Sequence, residues 1–350
     1  MSRKIRTIII GIGNSASALI QGLEYYGDDD TRPGLWHRSI GDYSVSDIEI
    51  VGAYDIDVRK VGKDISDAMF SPPNMIKKYT DVRHLGIDVE SGALNDQINP
   101  SLSNLIKHLE QPTGEIIDSI KEKDPDVVLN LISSGMDKSS DAYVSASLQS
   151  DASFINATTS PIASSESSAS KFADKNLVVV GDDLMSQFGG TVFHKSILNL
   201  MLSRGVKVKK SYQLDVGGGA ETQNTLDEDL RAMKGQIKSD AISVEIPYPM
   251  ETAAGTTDYV DFLGNGRTSY FWIDGEQFLG SPVRFDIYLK TSDGPNAGGL
   301  LIDLIRATQT AKNNGDFGAV KDICNYGFKR TTPPSKLIDS YERFKSKYIP

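Results

Sequence analysis

The sequence predicts an α/β fold, with a Rossmann-type doubly wound parallel sheet and an inserted α+β domain. Three observations predict it. An apolar, β-branched run at residues 5–10 leads into two glycines and a helical pattern, as in a nucleotide-binding strand-turn-helix unit. Strand-like and helical stretches then alternate up to residue 187. From residue 206 the strand-like runs alternate charged and apolar residues, until a helical pattern returns near Ala297.

The 350 residues are enough for two domains with separate cores. We expect a Rossmann domain built from residues 1–187 and 295–350, and a catalytic and oligomerisation domain at residues 188–294. The expected elements, in chain order, are a strand at 5–10, a helix after Asn14, a loop at 27–46, a strand at 48–54, helices at 57–69 and 115–123, strands at 126–132, 151–156 and 176–181, a helix at 189–204, strands at 206–216, 269–273 and 283–289, and a long helix from 297.

Composition narrows the class of protein. The net charge of −10 argues against general binding to nucleic acid or to an anionic membrane. A single cysteine, Cys324, excludes an internal disulfide and fits a reducing compartment. No apolar run approaches the roughly 20 residues that span a bilayer. We therefore expect a cytoplasmic protein that acts on a small molecule.

The first glycine turn has the sequence of a pyrophosphate site. Gly11 and Gly13 permit a tight turn, and the next residues open a helix whose N–H groups can bind phosphate oxygens. The third glycine of the usual fingerprint is replaced by Ala16 or a neighbouring serine. A βα turn without a phosphate is the alternative. The predicted cofactor contacts here are Gly11, Gly13, Asn14, Ser15 and Ala16.

A carboxylate follows the next strand. Asp55 is the predicted partner of an adenosine ribose, and Asp57 is the second choice. About 40 residues separate Asp55 from Gly13, where about 20 is usual. A loop inserted at residues 27–46 accounts for the excess. The alternative is a solvated aspartate at a strand end.

Polar residues follow three further strands, and ligands of doubly wound sheets bind outside the carboxyl ends of the strands. We expect these residues to line one crevice. They are Ser133, Ala157, Asp182 and Asp183. The four histidines, at positions 37, 84, 108 and 194, lack the spacing of a metal site, so the sequence identifies no metal ligands.

Two lysines, Lys234 and Lys238, are one helical turn apart and lie on one face of a predicted helix. Spaced lysines suit chemistry on a phosphorylated substrate that carries a carbonyl group, because ammonium groups bind phosphate and stabilise anions. Solvated surface lysines are the alternative.

Several motifs together resemble the family of inositol-3-phosphate synthases (myo-inositol-1-phosphate synthases), particularly its shorter prokaryotic branch. The motifs run in order over nearly the whole chain. They are Gly11-Ile12-Gly13-Asn14 to Tyr26, Val61-Gly62-Lys63-Asp64-Ile65-Ser66-Asp67-Ala68, Gly181-Asp182-Asp183 to Thr191, Val216-Gly217-Gly218, Asp258-Tyr259-Val260 and Asp293-Gly294-Pro295-Asn296-Ala297-Gly298.

The resemblance implies a homotetrameric enzyme of inositol and phospholipid biosynthesis that converts glucose 6-phosphate to 1D-myo-inositol 3-phosphate. Bound NAD oxidises C5, the resulting ketone permits enolisation, an intramolecular aldol reaction closes the ring, and NADH returns the hydride. The family also uses a monovalent or divalent cation, and the sequence does not identify which.

The resemblance also assigns roles to single residues. Lys234 and Lys238 match the family's paired lysines, one for proton transfer and one for substrate phosphate, and Lys329 matches its C-terminal active-site lysine. Arg267 aligns with a further catalytic lysine. Asp293 matches an acid near the nicotinamide and a cation, with helix capping as the alternative.

Four positions depart from the family pattern. Gly219 stands where an asparagine is usual, Glu221 replaces an aspartate, and Arg267 and Met185 replace lysines. Arginine stays charged and shuttles protons poorly, whereas methionine removes a charge altogether. These departures leave open a related carbocyclase for another phosphosugar, such as fructose 6-phosphate, or a non-catalytic NAD-binding sensor. A plain dehydrogenase is a further alternative, although Cys324 is misplaced for thiol chemistry.

Overall fold

The computed structural model describes residues 4–27, 29–108 and 116–350. The strands are β1 Ile5–Ile10, β2 Ser39–Ile40, β3 Tyr43–Ser44, β4 Ile48–Asp55, β5 Val89–Ser91, β6 Val127–Asn130, β7 Ser153–Asn156, β8 Val178–Val180, β9 Lys207–Gly217, β10 Glu251–Tyr259, β11 Gly266–Glu276, β12 Pro282–Ser292 and β13 Gly318–Ala319. The α-helices are α1 Asn14–Gly27, α2 Ile65–Ala68, α3 Pro100–Ser103, α4 Ile116–Glu122, α5 Asp137–Gln149, α6 Glu166–Asp174, α7 Gly190–Ser203, α8 Ala220–Asn224, α9 Glu228–Ser243, α10 Asp293–Asn313, α11 Lys321–Gly327 and α12 Leu337–Tyr348. Three 3₁₀ turns lie at Val45–Asp47, Asp261–Leu263 and Phe278–Gly280.

The larger sheet has seven parallel strands in the order β13-β8-β7-β6-β1-β4-β5. Its central strands β6, β7 and β8 are buried along their whole length. Their apolar, β-branched sequences suit a sheet that helices cover on both faces. The predicted α/β class with a doubly wound parallel sheet is confirmed.

The smaller sheet has four strands in the order β10-β9-β11-β12. Strands β9 and β10 are parallel, and the other two pairs are antiparallel. Its own apolar core joins the sheet to α7 and α9, and it includes Leu198, Met201, Val208, Ile242 and Ile273. The alternating burial along β11 explains the alternating sequence pattern. The exact domain limits at residues 187 and 295 stay a prediction.

Three elements differ from the prediction. The helix expected at 57–69 is reduced to α2, because Gly62 adopts a positive φ of 80° and Asp64 caps a new helix start by accepting from Ser66. The loop expected at 27–46 contains the β2–β3 hairpin, and its residue 28 lies outside the described residues. The last long helix begins at Asp293 rather than near Ala297. Residue 115 of the helix predicted at 115–123 is also outside the described ranges.

The long helix α10 follows the smaller sheet and is buried along most of its length. Asp303, fully buried on this helix, accepts hydrogen bonds from His37, Arg306 and Tyr326 at 2.7, 2.7 and 2.8 Å. The Arg306 guanidinium also donates to the carbonyls of His37 and Arg38. One carboxylate thus joins the segment after α1, the long helix and α11. Every helix of the described ranges is too short or too polar to cross a lipid bilayer.

We expect Asp303→Ala to lower the free energy of unfolding by about 3–5 kcal/mol, because it leaves the Arg306 cation buried without its carboxylate. Glu342→Ala, on the exposed face of α12, is the control and should change stability by less than about 0.5 kcal/mol. Urea denaturation followed by circular dichroism measures both. A loss below about 1 kcal/mol for Asp303→Ala would show that this network is not stabilising.

Candidate active site

One cavity of about 370 Å³ lies at the carboxyl ends of the parallel strands and extends to β9, β11 and α9. Its size and position match those of small-molecule sites in this fold class. Fourteen of the fifteen residues predicted from the sequence line this cavity. They are Gly11, Gly13, Asn14, Ser15, Ala16, Asp55, Ser133, Ala157, Asp183, Lys234, Lys238, Arg267, Asp293 and Lys329.

The first glycine turn has the backbone that a pyrophosphate requires. Gly11 has a φ of 86°, and a Cβ there would lie 2.9 Å from the carbonyl oxygen of Leu131. Gly13 faces open space, so a ligand can approach its backbone closely. The first turn of α1 holds no acidic side chain that would repel phosphate. These residues therefore fit the diphosphate of a dinucleotide.

Asp55 ends β4 and lines the cavity beside this turn. Its carboxylate accepts from the Ile12 and Asp57 backbone N–H groups at 2.7 and 2.9 Å, which fixes its orientation. The Asp57 carboxylate is buried, is held by Arg59 and does not line the cavity. The geometry therefore favours Asp55 over Asp57 as the ribose partner.

Lys60 was not predicted from the sequence, and it is 4% exposed and lines the same cavity. Its ammonium donates to the Ile12 carbonyl at 2.8 Å and to Asp55 and Asn74 at 3.3 Å. Lys60 thus ties the glycine turn to the strand-end carboxylate.

Asp182 is the predicted site residue that the cavity excludes. Its fully buried carboxylate accepts from Asn156, from Ser164 and from the N–H groups of Ile162 and Ala163. Both oxygens are occupied by the protein, so the prediction of a cofactor contact is corrected to a structural role. The next residue, Asp183, turns into the cavity with a φ of 61°.

Each of the four predicted cationic side chains of the site pairs with a carboxylate. Lys234 lies 2.5 Å from Glu221, Lys329 lies 2.7 Å from Asp183, and Lys238 contacts Asp215. The Arg267 guanidinium donates hydrogen bonds to Asp293 through two nitrogens, each 2.8 Å from a carboxylate oxygen. The four cations come from three separate parts of the chain, so the fold assembles them.

Burial and neighbouring charges shift the pKa values of groups in this cavity. Burial lowers the pKa of Lys329, and the nearby ammonium groups of Lys238 and Lys234 lower it further, against the opposing effect of Asp183. The Asp215 carboxyl is buried, which favours its neutral form, but Lys238 and Arg267 hold its pKa well below the usual range. The cavity therefore contains a lysine that gives up its proton more readily than a free lysine, beside carboxylates that stay ionised.

Sequence reasoning missed Gln213, Asp215 and Ser269 and noted Glu221 only as a departure. A signal was available, because Ser211, Gln213 and Asp215 alternate along β9 and all three face the buried side. Polar residues on the buried face of a strand need partners, which often mark a functional site.

We expect Gly13→Val to weaken dinucleotide binding at least tenfold while the melting temperature changes by only a few degrees, because the valine side chain would fill open space beside the turn. Isothermal titration calorimetry and thermal unfolding measure the two quantities. Gly27→Val, at the other end of α1 and also facing open space, is the matched control. Equal affinity for both variants would exclude this turn as the dinucleotide site.

Comparisons with known proteins show which proteins this chain resembles. A family profile described as Myo-inositol-1-phosphate synthase matches residues 189–294. Two solved structures are similar over 98% of the chain. "Crystal structure of Ari2" shares 27% identity with a TM-score of 0.78 and 99% of that chain covered. A myo-inositol-1-phosphate synthase-related protein from Thermotoga maritima has 23% identity, a TM-score of 0.82 and 98% covered, which shows the fold.

The curated relatives extend the similarity to the full length. Inositol-3-phosphate synthase of Mycobacterium tuberculosis (H37Rv) is 33% identical over 98% of this chain and 94% of its own length. The Corynebacterium glutamicum enzyme of the same name is 33% identical over 97% and 96%. The chain therefore belongs to the inositol-3-phosphate synthase family.

Proposed function

We propose that this protein is an NAD-dependent isomerase that cyclises glucose 6-phosphate to 1D-myo-inositol 3-phosphate. The observation that carries the proposal is the convergence of Lys234, Lys238 and Lys329 in the cavity that also contains the dinucleotide-type glycine turn. Family membership supplies the reaction, and the paired cations supply the means to bind a phosphate dianion and stabilise an anionic intermediate.

The residues that would hold NAD are the glycine turn, the first turn of α1 and Asp55. NAD would supply a reversible hydride acceptor at the substrate carbon. The chain itself must bind the phosphosugar, move protons at its oxygens and carbons, and keep water from the intermediates.

We assign proton transfer to the lysines, with Lys329 best suited because its pKa is lowered by burial and by the neighbouring ammonium groups. Arg267 remains charged throughout and suits phosphate binding or charge stabilisation, since a guanidinium shuttles protons poorly. Removing one such stabilising donor from a buried site typically costs about 2.7–4 kcal/mol in the transition state.

The carboxylate partners hold the cations in place before substrate binds. A substrate phosphate placed among Lys234, Lys238 and Arg267 would compete with Glu221 and Asp215 for the same donors. Binding energy from the phosphate can therefore reposition the lysines for catalysis.

We further propose a cytoplasmic homotetramer that acts in inositol and phospholipid biosynthesis. Exposed apolar side chains on the second domain support assembly there, and they are Phe262, Phe278, Leu279 and Tyr288. The single, buried Cys324 suits a reducing compartment. For the monovalent or divalent cation that the family uses, Asp293 is the carboxylate that the resemblance suggests; both of its oxygens accept from Arg267, so a cation would have to displace that pairing.

Replacing Lys234, Lys238 or Lys329 singly by alanine should lower kcat at least a hundredfold, because each variant removes a partly buried cationic donor from the cavity. The measurement is inositol phosphate formation from glucose 6-phosphate with catalytic amounts of NAD, followed by NMR. Lys175→Ala removes a surface lysine as the control. Wild-type rates in all three site variants would defeat the proposal.

A related carbocyclase is the second candidate, because Met185 is 5% exposed and lines the cavity at a position where the family carries a lysine. The charge missing there could alter which phosphosugar fits. Parallel incubations with glucose 6-phosphate and fructose 6-phosphate, with NMR identification of the product, separate the candidates. We expect the inositol phosphate from glucose 6-phosphate; a carbocyclic product from fructose 6-phosphate alone would favour the second candidate. NAD binding without any turnover would instead indicate a sensor.

A further inference from the structure

A fully buried histidine lies behind the cavity wall. His194, on α7, packs edge-on against Phe271 with ring centroids 5.6 Å apart. Neither of its ring nitrogens has a hydrogen-bond partner of good geometry among the described residues. Buried polar atoms are usually paired, so a histidine retained here needs an explanation other than packing.

Gln213 is the group that faces this ring. Its amide nitrogen donates to both oxygens of Asp215, at 2.9 and 3.0 Å, while its amide oxygen is buried and also lacks a partner. The first residue of α7, Gly190, allows this arrangement, since a Cβ there would come within 2.3 Å of the Gln213 amide nitrogen. The helix that carries His194 is therefore pressed directly against Gln213.

The orientation of the Gln213 amide follows from the charges around it. The ionised Asp215 accepts only from the NH₂ end, so the amide oxygen must point away from Asp215. Burial lowers the pKa of His194 to about 4, which leaves the ring neutral with one N–H at physiological pH. That N–H is the donor that the amide oxygen of Gln213 lacks. A small side-chain adjustment would bring the ring N–H of His194 into a hydrogen bond with the amide oxygen of Gln213.

We propose that His194 is a positioning residue for Lys238: through Gln213 it fixes the Asp215 carboxylate that holds the lysine ammonium. Ser269 supports the same carboxylate from β11, at 2.5 Å. The inference rests on the proposed function, in which Lys238 acts on the substrate. It adds a residue that touches neither substrate nor cofactor but sets where a catalytic ammonium group stands.

The other charges near Lys238 come from several elements. Asp215 faces it from β9, Lys329 from the segment after α11, and Lys234 from its own helix. Arg267 acts on Asp215 from β11. Among these groups, Asp215 alone is held by Gln213, so loss of the His194 contact should affect Lys238 selectively.

The test compares wild-type protein with His194→Phe, which keeps a ring but removes the N–H, and His194→Gln, which restores a donor. Trace acetylation at neutral pH, quantified by mass spectrometry, reports the reactivity of each lysine. We expect His194→Phe to raise the reactivity of Lys238 about tenfold, because its ammonium form loses a well-placed carboxylate. Lys234, which pairs with Glu221, and the exposed Lys209 should stay within about threefold of wild type.

Gln213→Leu provides a second route if His194→Phe does not fold. It should raise Lys238 reactivity to the same extent, and the double variant should add nothing, while His194→Gln should return the value to near wild type. Unchanged Lys238 reactivity in the folded variants, or an equal rise at Lys234, would overturn the inference. Failure of wild-type protein to cyclise any phosphosugar would defeat the proposed function instead, and the labelling result is independent of turnover.

Discussion

The site depends on the pairing of cationic and anionic side chains inside one cavity. Ammonium groups withdrawn from water are costly unless a carboxylate stands beside each of them. Here Glu221, Asp215, Asp183 and Asp293 meet that requirement. The smaller sheet and the helices beside it supply most of these groups, and the carboxyl ends of the parallel strands supply the rest. The relative placement of the two sheets is thus linked to the electrostatics of the cavity.

Two buried polar networks in this molecule, around Asp303 and around Asp215, have different roles. The Asp303 network lies in the core beside the larger sheet, where three donors hold one carboxylate and complete burial keeps it from any ligand. The Asp215 network lies at the cavity wall, where Asp215 and its partner Lys238 both line the cavity. The two networks contain nearly the same chemical groups. They differ because the Asp215 network has access to the cavity and the Asp303 network does not.

Much of this arrangement follows from local sequence patterns. The glycine turn, the strand-end carboxylate Asp55 and the alternating strands of the second domain are recognisable because each has a short-range signature. The prediction for Asp182 did not match the structure, because two adjacent carboxylates after a strand look equivalent until the turn directs Asp183 into the cavity and Asp182 into the protein interior. The partners Asp215 and Gln213 depend on contacts with α7 and α9 that are distant in sequence. Those contacts are set by tertiary packing, which residue spacing alone does not reveal.

Residues from the C-terminal part of the chain complete the parallel sheet and the cavity, which begin with residues from the N-terminal part. Strand β13, which follows the inserted domain, pairs with β8 at the edge of the parallel sheet, and Lys329 enters the cavity shortly after it. During synthesis on the ribosome, the glycine turn emerges long before these elements. A nascent chain that ends before residue 318 lacks both the edge strand and Lys329, one of the lysines that line the cavity. A chain that has not yet reached Lys329 therefore has an incomplete cavity.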